Sequence, residues 1–217
     1  MLKYIKLIVV LFTLCSLTSC FEIIEGIKVN ENGSGHYALT LNLSQSKSKL
    51  SSIMLLDSVR GYSIPSEKEI EGFLKTKTAL IDQVEGISNV QHQLNLTDFI
   101  VEVEFDFEKV DQLNKVLSKL HRKEDIEFNH YGLQNNKVFY RTYKYDLKKL
   151  FGKIDTNDKK IFEGSSVTTI YRFDKPVESI ENKQAKLSPN KKAVMLKVNS
   201  VDLFSQKSSL KNTISLK

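Results

Sequence analysis

Beyond position 20 this chain has no cysteine. Both of its cysteines, Cys15 and Cys20, fall in the first twenty residues. The remainder can form neither a disulfide nor a thiolate metal site. An exported chain of that kind must be held by its apolar core alone. Histidine is scarce too. The four histidines, His36, His92, His121 and His130, show no i, i+4 pair and no His-Glu-x-x-His. They read as solvent-facing strand and loop residues. No Gly-x-Ser-x-Gly elbow, glycine-rich phosphate loop or well-placed Ser-x-x-Lys is present. No catalytic, cofactor-binding or metal-binding residue is therefore expected. There is one long apolar run, at the N-terminus, and the last residues, Ser208 to Lys217, are too polar and too short to span a bilayer.

What is present begins with Met1–Cys20, MLKYIKLIVVLFTLCSLTSC. Lys3 and Lys6 form a positive start, and Leu7 to Leu14 is apolar apart from Thr13. The run falls short of the ~20 residues needed to cross a membrane, which marks a secretory signal rather than a spanning helix. The ending Leu17-Thr18-Ser19-Cys20 resembles the lipobox of bacterial lipoproteins. That resemblance implies a diacylglycerol on the Cys20 thiol and cleavage between Ser19 and Cys20. Acylation of the new amino terminus would follow. Only a thiolate is nucleophilic enough to form the thioether, and stable anchoring takes two acyl chains, each buried methylene adding about 0.8 kcal/mol. An ordinary signal peptide with a chance cysteine, or an uncleaved anchor, is the alternative.

Phe21 follows the cysteine where the enteric sorting rule places aspartate for inner-membrane retention, so the outer membrane is the expected destination. Glu22 and Glu25 read either as a charged tether or as an acidic surface-export signal. Removing residues 1–19 leaves about 198 residues, enough for one good core or two small ones. Charge is uneven: residues 183–217 hold eight lysines against the single Asp202. A basic tail of this kind would rest against anionic headgroups at about 1 kcal/mol per lysine. Alternatively, the lysines are simply solvated. Export places the chain away from nucleic acid.

The patterning predicts an α+β fold. Ile23–Val29 and the alternating His36–Leu43 read as a hairpin around Asn30 to Gly35. Leu50, Ile53, Met54, Leu56 and Val59 have helical spacing, stopped by Gly61. Ser66 and Glu69 predict a capping box opening a second helix, whose apolar face is Ile70, Phe73, Leu74, Leu80, Ile81 and Val84. Val90–Leu96 and Phe99–Phe107 form a second hairpin, with Glu102, Glu104 and Asp106 on the outward face. A third helix carries Val110, Leu113, Leu117 and Leu120. Phe128–Tyr131 and Val138–Tyr145 read as a third hairpin, followed by a charged connector, Lys148–Lys160. Late strands are expected at Val167–Phe173 and Ala193–Val198, with Leu203 and Phe204 closing the core. The expectation is an antiparallel sheet of hairpins with about three helices on one face.

The Asn32-Gly33 turn in the first hairpin, the two helices, the further hairpins and the run from Ser179 resemble the LppM-type domain of bacterial lipoproteins. That run reads Ser179-Ile180-Glu181-Asn182, then Ser188-Pro189-Asn190-Lys191-Lys192, then Val194-Met195-Leu196-Lys197-Val198. The resemblance implies an α+β envelope module without an enzymatic motif. Members often end in a membrane helix, which this chain does not show.

Three surface features carry candidate chemistry. Glu102, Glu104 and Asp106 lie at two-residue spacing, about 6–7 Å apart along a strand, which suits a glycosidase pair, a calcium face or a plain wet face. Tyr140, Arg141, Tyr143 and Lys144 would stack on sugar or hold an anionic glycan, although strand aromatics commonly pair across strands. Asp57-Ser58-Val59 matches a short O-glycosylation sequon, with Ser58 expected on a helix. The favoured function is a lipid-anchored envelope lipoprotein that binds a protein, lipid or glycan partner without catalysis. A lipid-anchored hydrolase of envelope polymers is the alternative, as is a periplasmic lipid carrier with an apolar cavity beneath the Ile70–Val84 helix.

Overall fold

The computed structural model describes residues 21–59, 61–121, 129–142, 151–154 and 159–217. Strand β1 (Glu22–Val29) opens the fold and pairs antiparallel with β2 (Gly35–Asn42). The turn between them closes through Asn30 N–H donating to Ser34 O at 2.7 Å, with Gly33 at φ 87°. Gly35 is required there: a Cβ would lie 1.9 Å from the Lys28 carbonyl oxygen and 2.5 Å from the Phe107 ring.

Helix α1 (Lys47–Ile53) is shorter than expected. After it the chain forms a small hairpin, β3 (Ser58–Val59) and β4 (Tyr62–Ser63). The helical spacing does not carry through to Leu56 and Val59: Leu56 is exposed and Val59 lies in β3. Helix α2 (Glu67–Asp82) has the expected capping box, with Ser66 Oγ accepting from Glu69 N and Glu69 Oε2 accepting from Ser66 N. Leu74, Thr78 and Ile81 form its buried stripe. Phe73 lies off the flank of that stripe and is exposed, contrary to the sequence expectation.

Strands β5 (Ile87–Asn95) and β6 (Ile100–Phe107) make the second hairpin, and α3 (Gln112–Leu120) follows. Phe99 is not a strand residue. It turns the chain at φ 55° while its ring is buried. The Gln112 side chain locks the start of α3 against the end of α2. It accepts from Glu108 N and Lys109 N, and donates to Glu85 O. A third hairpin pairs β7 (Tyr131–Gln134) with β8 (Val138–Arg141). Then come β9 (Ser166–Phe173), β10 (Val177–Ile180), β11 (Lys186–Leu187), β12 (Ala193–Asn199), the short helix α4 (Ser200–Phe204) and β13 (Asn212–Leu216).

The fold is α+β, as the patterning predicts, but its strands form two main sheets. The larger has the order β11-β12-β9-β1-β2-β6-β5 and the smaller β10-β13-β8-β7. One pairing departs from a meander of hairpins: β1 and β9 run parallel, Glu22 opposite Ser166 and Val29 opposite Phe173. The smaller sheet, α2 and α3 pack on one face of the larger. The core between them joins Ile27, Phe105, Tyr171 and Val194 of the large sheet to Phe139 and Ile214 of the small one, with Ile81 and Leu113 from the helices. Phe139 is fully buried and its ring lies 5.0 Å from that of Tyr171. Burying a side chain of this size contributes about 1.5–3 kcal/mol.

The lysine-rich region from Lys183 onward is not a tail. It supplies β11 and β12 to the large sheet and β13 to the small one. Strand β13 went unread because its polar residues mask an alternation: Asn212, Ile214 and Leu216 point inward. Among the described residues no helix is long and apolar enough to cross a membrane.

Candidate functional site

Polar chemistry gathers in three places: a buried charged cluster, the carboxylate face, and the surroundings of Tyr140 and Arg141. The cluster was missed by sequence reading. Alternation along β1 puts Ile23, Glu25, Ile27 and Val29 on the core face, so Glu25 is carried inward with its neighbours and is 4 % exposed. In the fold it is a buried strand residue rather than part of a solvated tether. Arg141 ends β8 opposite Tyr131 and reaches it from the small sheet. Its Nη1 lies 3.1 Å from Glu25 Oε2 and its Nη2 donates to Oε1 at 3.4 Å. Three phenols complete the shell. Tyr131 donates a short hydrogen bond to Glu25 Oε1, Tyr37 donates to the same oxygen at 3.4 Å, and Tyr171 donates to Oε2 at 3.4 Å. The Arg141 guanidinium also sits 5.6 Å from the Tyr131 ring centre.

The electrostatics follow from burial. Desolvation pushes the Tyr37 phenol well above its ordinary range, with the Glu25 carboxylate adding to it. Burial likewise raises Tyr131 well above its usual value, against the opposing charge of Arg141. Burial works against the Arg141 charge, yet the net shift is upward, the Glu25 carboxylate being the largest of the causes that oppose burial. Every phenol is thus a neutral donor, and the carboxylate is saturated by five donors. The arrangement ties the two sheets together, Glu25, Tyr37 and Tyr171 coming from the larger and Tyr131 and Arg141 from the smaller.

On the opposite face of the large sheet, Glu102, Glu104 and Asp106 point outward as expected. Each meets a cross-strand partner. Thr40 Oγ1 donates to Glu102 at 3.1 Å. His36 lies between Asp106, at 2.7 Å, and Glu104, at 3.4 Å. Asn89 donates to Asp106 at 2.7 Å, and Gln91 donates to Glu104. Hydrogen bonds from Asn89 and His36 hold Asp106 below its ordinary value. Among the described residues no group of three or more His, Cys, Asp or Glu is placed to hold a metal ion. Glu22 belongs to the same face, bound by Lys197 Nζ at 2.9 Å and Thr168 Oγ1 at 2.7 Å.

The histidines are not all solvent-facing. His130 is buried and its backbone N–H donates to Asn114 Oδ1 at 2.8 Å. His92 joins β5 to α2 through Glu71 at 3.1 Å. Tyr140 and Arg141 point to opposite faces of β8. Arg141 faces inward to Glu25, while Tyr140 lines an open depression of about 860 Å³ with Asn114, Lys115, Lys119 and Tyr131. Tyr143 and Lys144 lie outside the described residues, as does Cys20. Ser58 is exposed, but in β3 rather than on a helix.

Next to Cys20 the chain is pinned at once. Phe21 O accepts from Ser166 N at 3.1 Å, and the Phe21 ring meets Phe162 edge-on at 5.8 Å. Phe162 is also 5.0 Å from Phe204, and Phe204 stacks on Phe151 at 5.0 Å.

No protein-family model matches the chain, and no curated protein matches it. Among solved structures, the folded domain of Mycobacterium tuberculosis LppM, determined by NMR, aligns with 93 % of this chain and 92 % of that chain. The identity is 10 % and the TM-score 0.43.

Proposed function

We propose that this protein is a bacterial cell-envelope lipoprotein, exported and held at a membrane by lipid on Cys20, whose α+β domain of residues 20–217 has a binding or structural role. The observation that carries the reading is a coincidence of two boundaries. The lipobox-like Leu17-Thr18-Ser19-Cys20 ends directly before the first described strand, with Phe21 fixed by Ser166 and Phe162 and β1 opening at Glu22. Cleavage before Cys20 would leave every described strand of both sheets intact. A non-catalytic role is supported by the fate of the most strongly coupled ionisable groups. Glu25 and Arg141 neutralise each other inside the core. Phe21 favours the outer over the inner membrane.

The surface that would meet an envelope partner is the depression beside Tyr140, where Lys115 and Lys119 offer positive charge and the Tyr140 ring offers a stacking face. Tyr143 and Lys144, next in the chain, would extend it. The anchor is tested by metabolic labelling with a clickable palmitate analogue in the native chain and in Cys20→Ser. Label lost in the variant supports the anchor, and label absent from both removes it.

A further inference from the structure

We propose that the end of the fold next to Cys20 is a membrane-docking surface that seats in the headgroup layer of the bilayer. This rests on the lipid-anchor reading above and adds an orientation to it.

The first observation is where the apolar surface lies. Eight large hydrophobic residues are exposed among the described residues, and five have the highest exposures: Leu55 at 86 %, Tyr62 at 72 %, Phe73 at 59 %, Leu56 at 51 % and Ile161 at 45 %. Four of them, Leu55, Leu56, Tyr62 and Ile161, belong to segments gathered at the end where β1 begins. Glu22 pairs with Asn42 at the end of β2, Asn42 with Ile100 at the start of β6, and Ile100 with Asn95 at the end of β5. The excursion carrying Leu55, Leu56 and Tyr62 leaves the sheet there. Leu43 N donates to Phe99 O at 2.9 Å, and Lys47 bonds Asp98 at 2.9 Å. Ile64 N donates to Asp57 O at 3.0 Å, closing a small hairpin that holds the three side chains away from the core. Phe73 stands apart from the other four: it follows Glu71, which meets His92 midway along β5 at 3.1 Å. Ile161 precedes Phe162, which packs on Phe21.

The second observation is the length of chain between lipid and fold. Glu22 is already in β1, so no linker exists. Adjacent Cα atoms are 3.8 Å apart, which puts a thioether sulfur on Cys20 within about 10 Å of Phe21. The headgroup layer is itself about 5–8 Å deep on each side of a bilayer. A fold tethered this closely must touch the layer with its near end, and that end carries the apolar side chains. The chemistry suits an interface: aliphatic groups, one tyrosine with an apolar body and polar tip, and the exposed Lys49, Lys68 and Lys160, whose stems can lie along the surface with ammonium groups at phosphate level.

The chain has no tryptophan, so a single introduced one reports without background. Leu55→Trp and Tyr62→Trp would be compared with Leu187→Trp on the far edge strand β11, each in the full lipidated chain. The proteins are reconstituted in vesicles of phosphatidylethanolamine and phosphatidylglycerol. Docking predicts blue-shifted emission at positions 55 and 62, quenching there by lipids brominated on the acyl chains, and protection from acrylamide. Position 187 keeps solvent-like emission. If all three positions respond alike to acrylamide and none to brominated lipid, the surface does not dock. If positions 55 and 62 shift with protein density but ignore brominated lipid, a second copy covers the patch, and the proposal is overturned. Intact mass on the same samples separates the premises: an unmodified Cys20 overturns the anchor, whereas a lipidated Cys20 with a wet position 55 overturns the docking alone.

Discussion

Glu25 and Arg141 meet at 3.1 Å across the interface between the two sheets, one from β1 and the other from β8. Each is almost completely buried, so each depends on the other for compensation. Breaking such a pair costs more than the pair contributes, because the survivor is left as an unpaired charge in the core. We expect Glu25→Ala to lower stability by about 3–5 kcal/mol in equilibrium denaturation. The double variant Glu25→Leu/Arg141→Met should recover most of that loss. A Glu25→Ala loss under about 1 kcal/mol, the range of an exposed pair, would mean that the cluster is open to water.

Asn114 acts as a substitute strand edge. Its Oδ1 accepts from His130 N at 2.8 Å and Tyr131 N at 3.0 Å, and its Nδ2 donates to Tyr131 O at 2.8 Å. Asn114→Ala should cost about 1–3 kcal/mol for each buried group left unpaired. Hydrogen exchange should localise the effect, with the His130 and Tyr131 amides losing protection first. Unchanged protection there would show that β7 is held by other contacts.

Two glycine substitutions should act in opposite directions. Gly35→Ala forces a Cβ against the Lys28 carbonyl oxygen and the Phe107 ring, so a loss of about 1–3 kcal/mol is expected. Gly72 lies inside α2 with nothing within 4 Å of an added Cβ. There Gly72→Ala should stabilise the fold by about 0.5–1 kcal/mol through helix propensity. Denaturation midpoints of both variants, measured side by side, check the pair.

The open face of the large sheet predicts the acid limb of the stability profile. Burial would raise the Glu22 pKa, but Lys197 and Thr168 outweigh it and the carboxyl is lowered from its ordinary 4.5. Asp106 is lowered from 3.8 by Asn89 and His36. Groups whose pKa is depressed by folding contribute stability above their unfolded values and lose it as pH falls through the folded ones. Stability from this face should therefore be complete above about pH 5 and decline below about pH 4. Lys197→Met should flatten the decline belonging to Glu22. An unaltered acid limb in that variant would remove Lys197 as its cause.

Much of the fold was legible because strict alternation and helix caps are local signals. The hairpins β1–β2 and β5–β6, the Ser66 capping box and α2 all follow from them. What was not legible is set by contacts distant in sequence. The parallel pairing of β1 with β9 joins Glu22 to Ser166, and no pattern in either strand announces its partner. Glu25 reads as a surface charge from its local sequence, because nothing near it supplies Arg141 or the three tyrosines. A signal was nevertheless present: in a strand where Ile23, Ile27 and Val29 face the core, the period of two carries Glu25 inward with them. Arg141 was misplaced for the same reason, and alternation separates it from Tyr140. Leu56 misleads in the other direction, since helical spacing predicts a core position where the fold leaves the side chain exposed.

The most direct test of the central claim is the mass of the N-terminal tryptic peptide from the protein purified out of membranes. The account predicts that this peptide is Cys20–Lys28, beginning at Cys20 and carrying a thioether-linked diacylglycerol. A peptide that retains residues before Cys20, or a Cys20 with a free thiol, would contradict it.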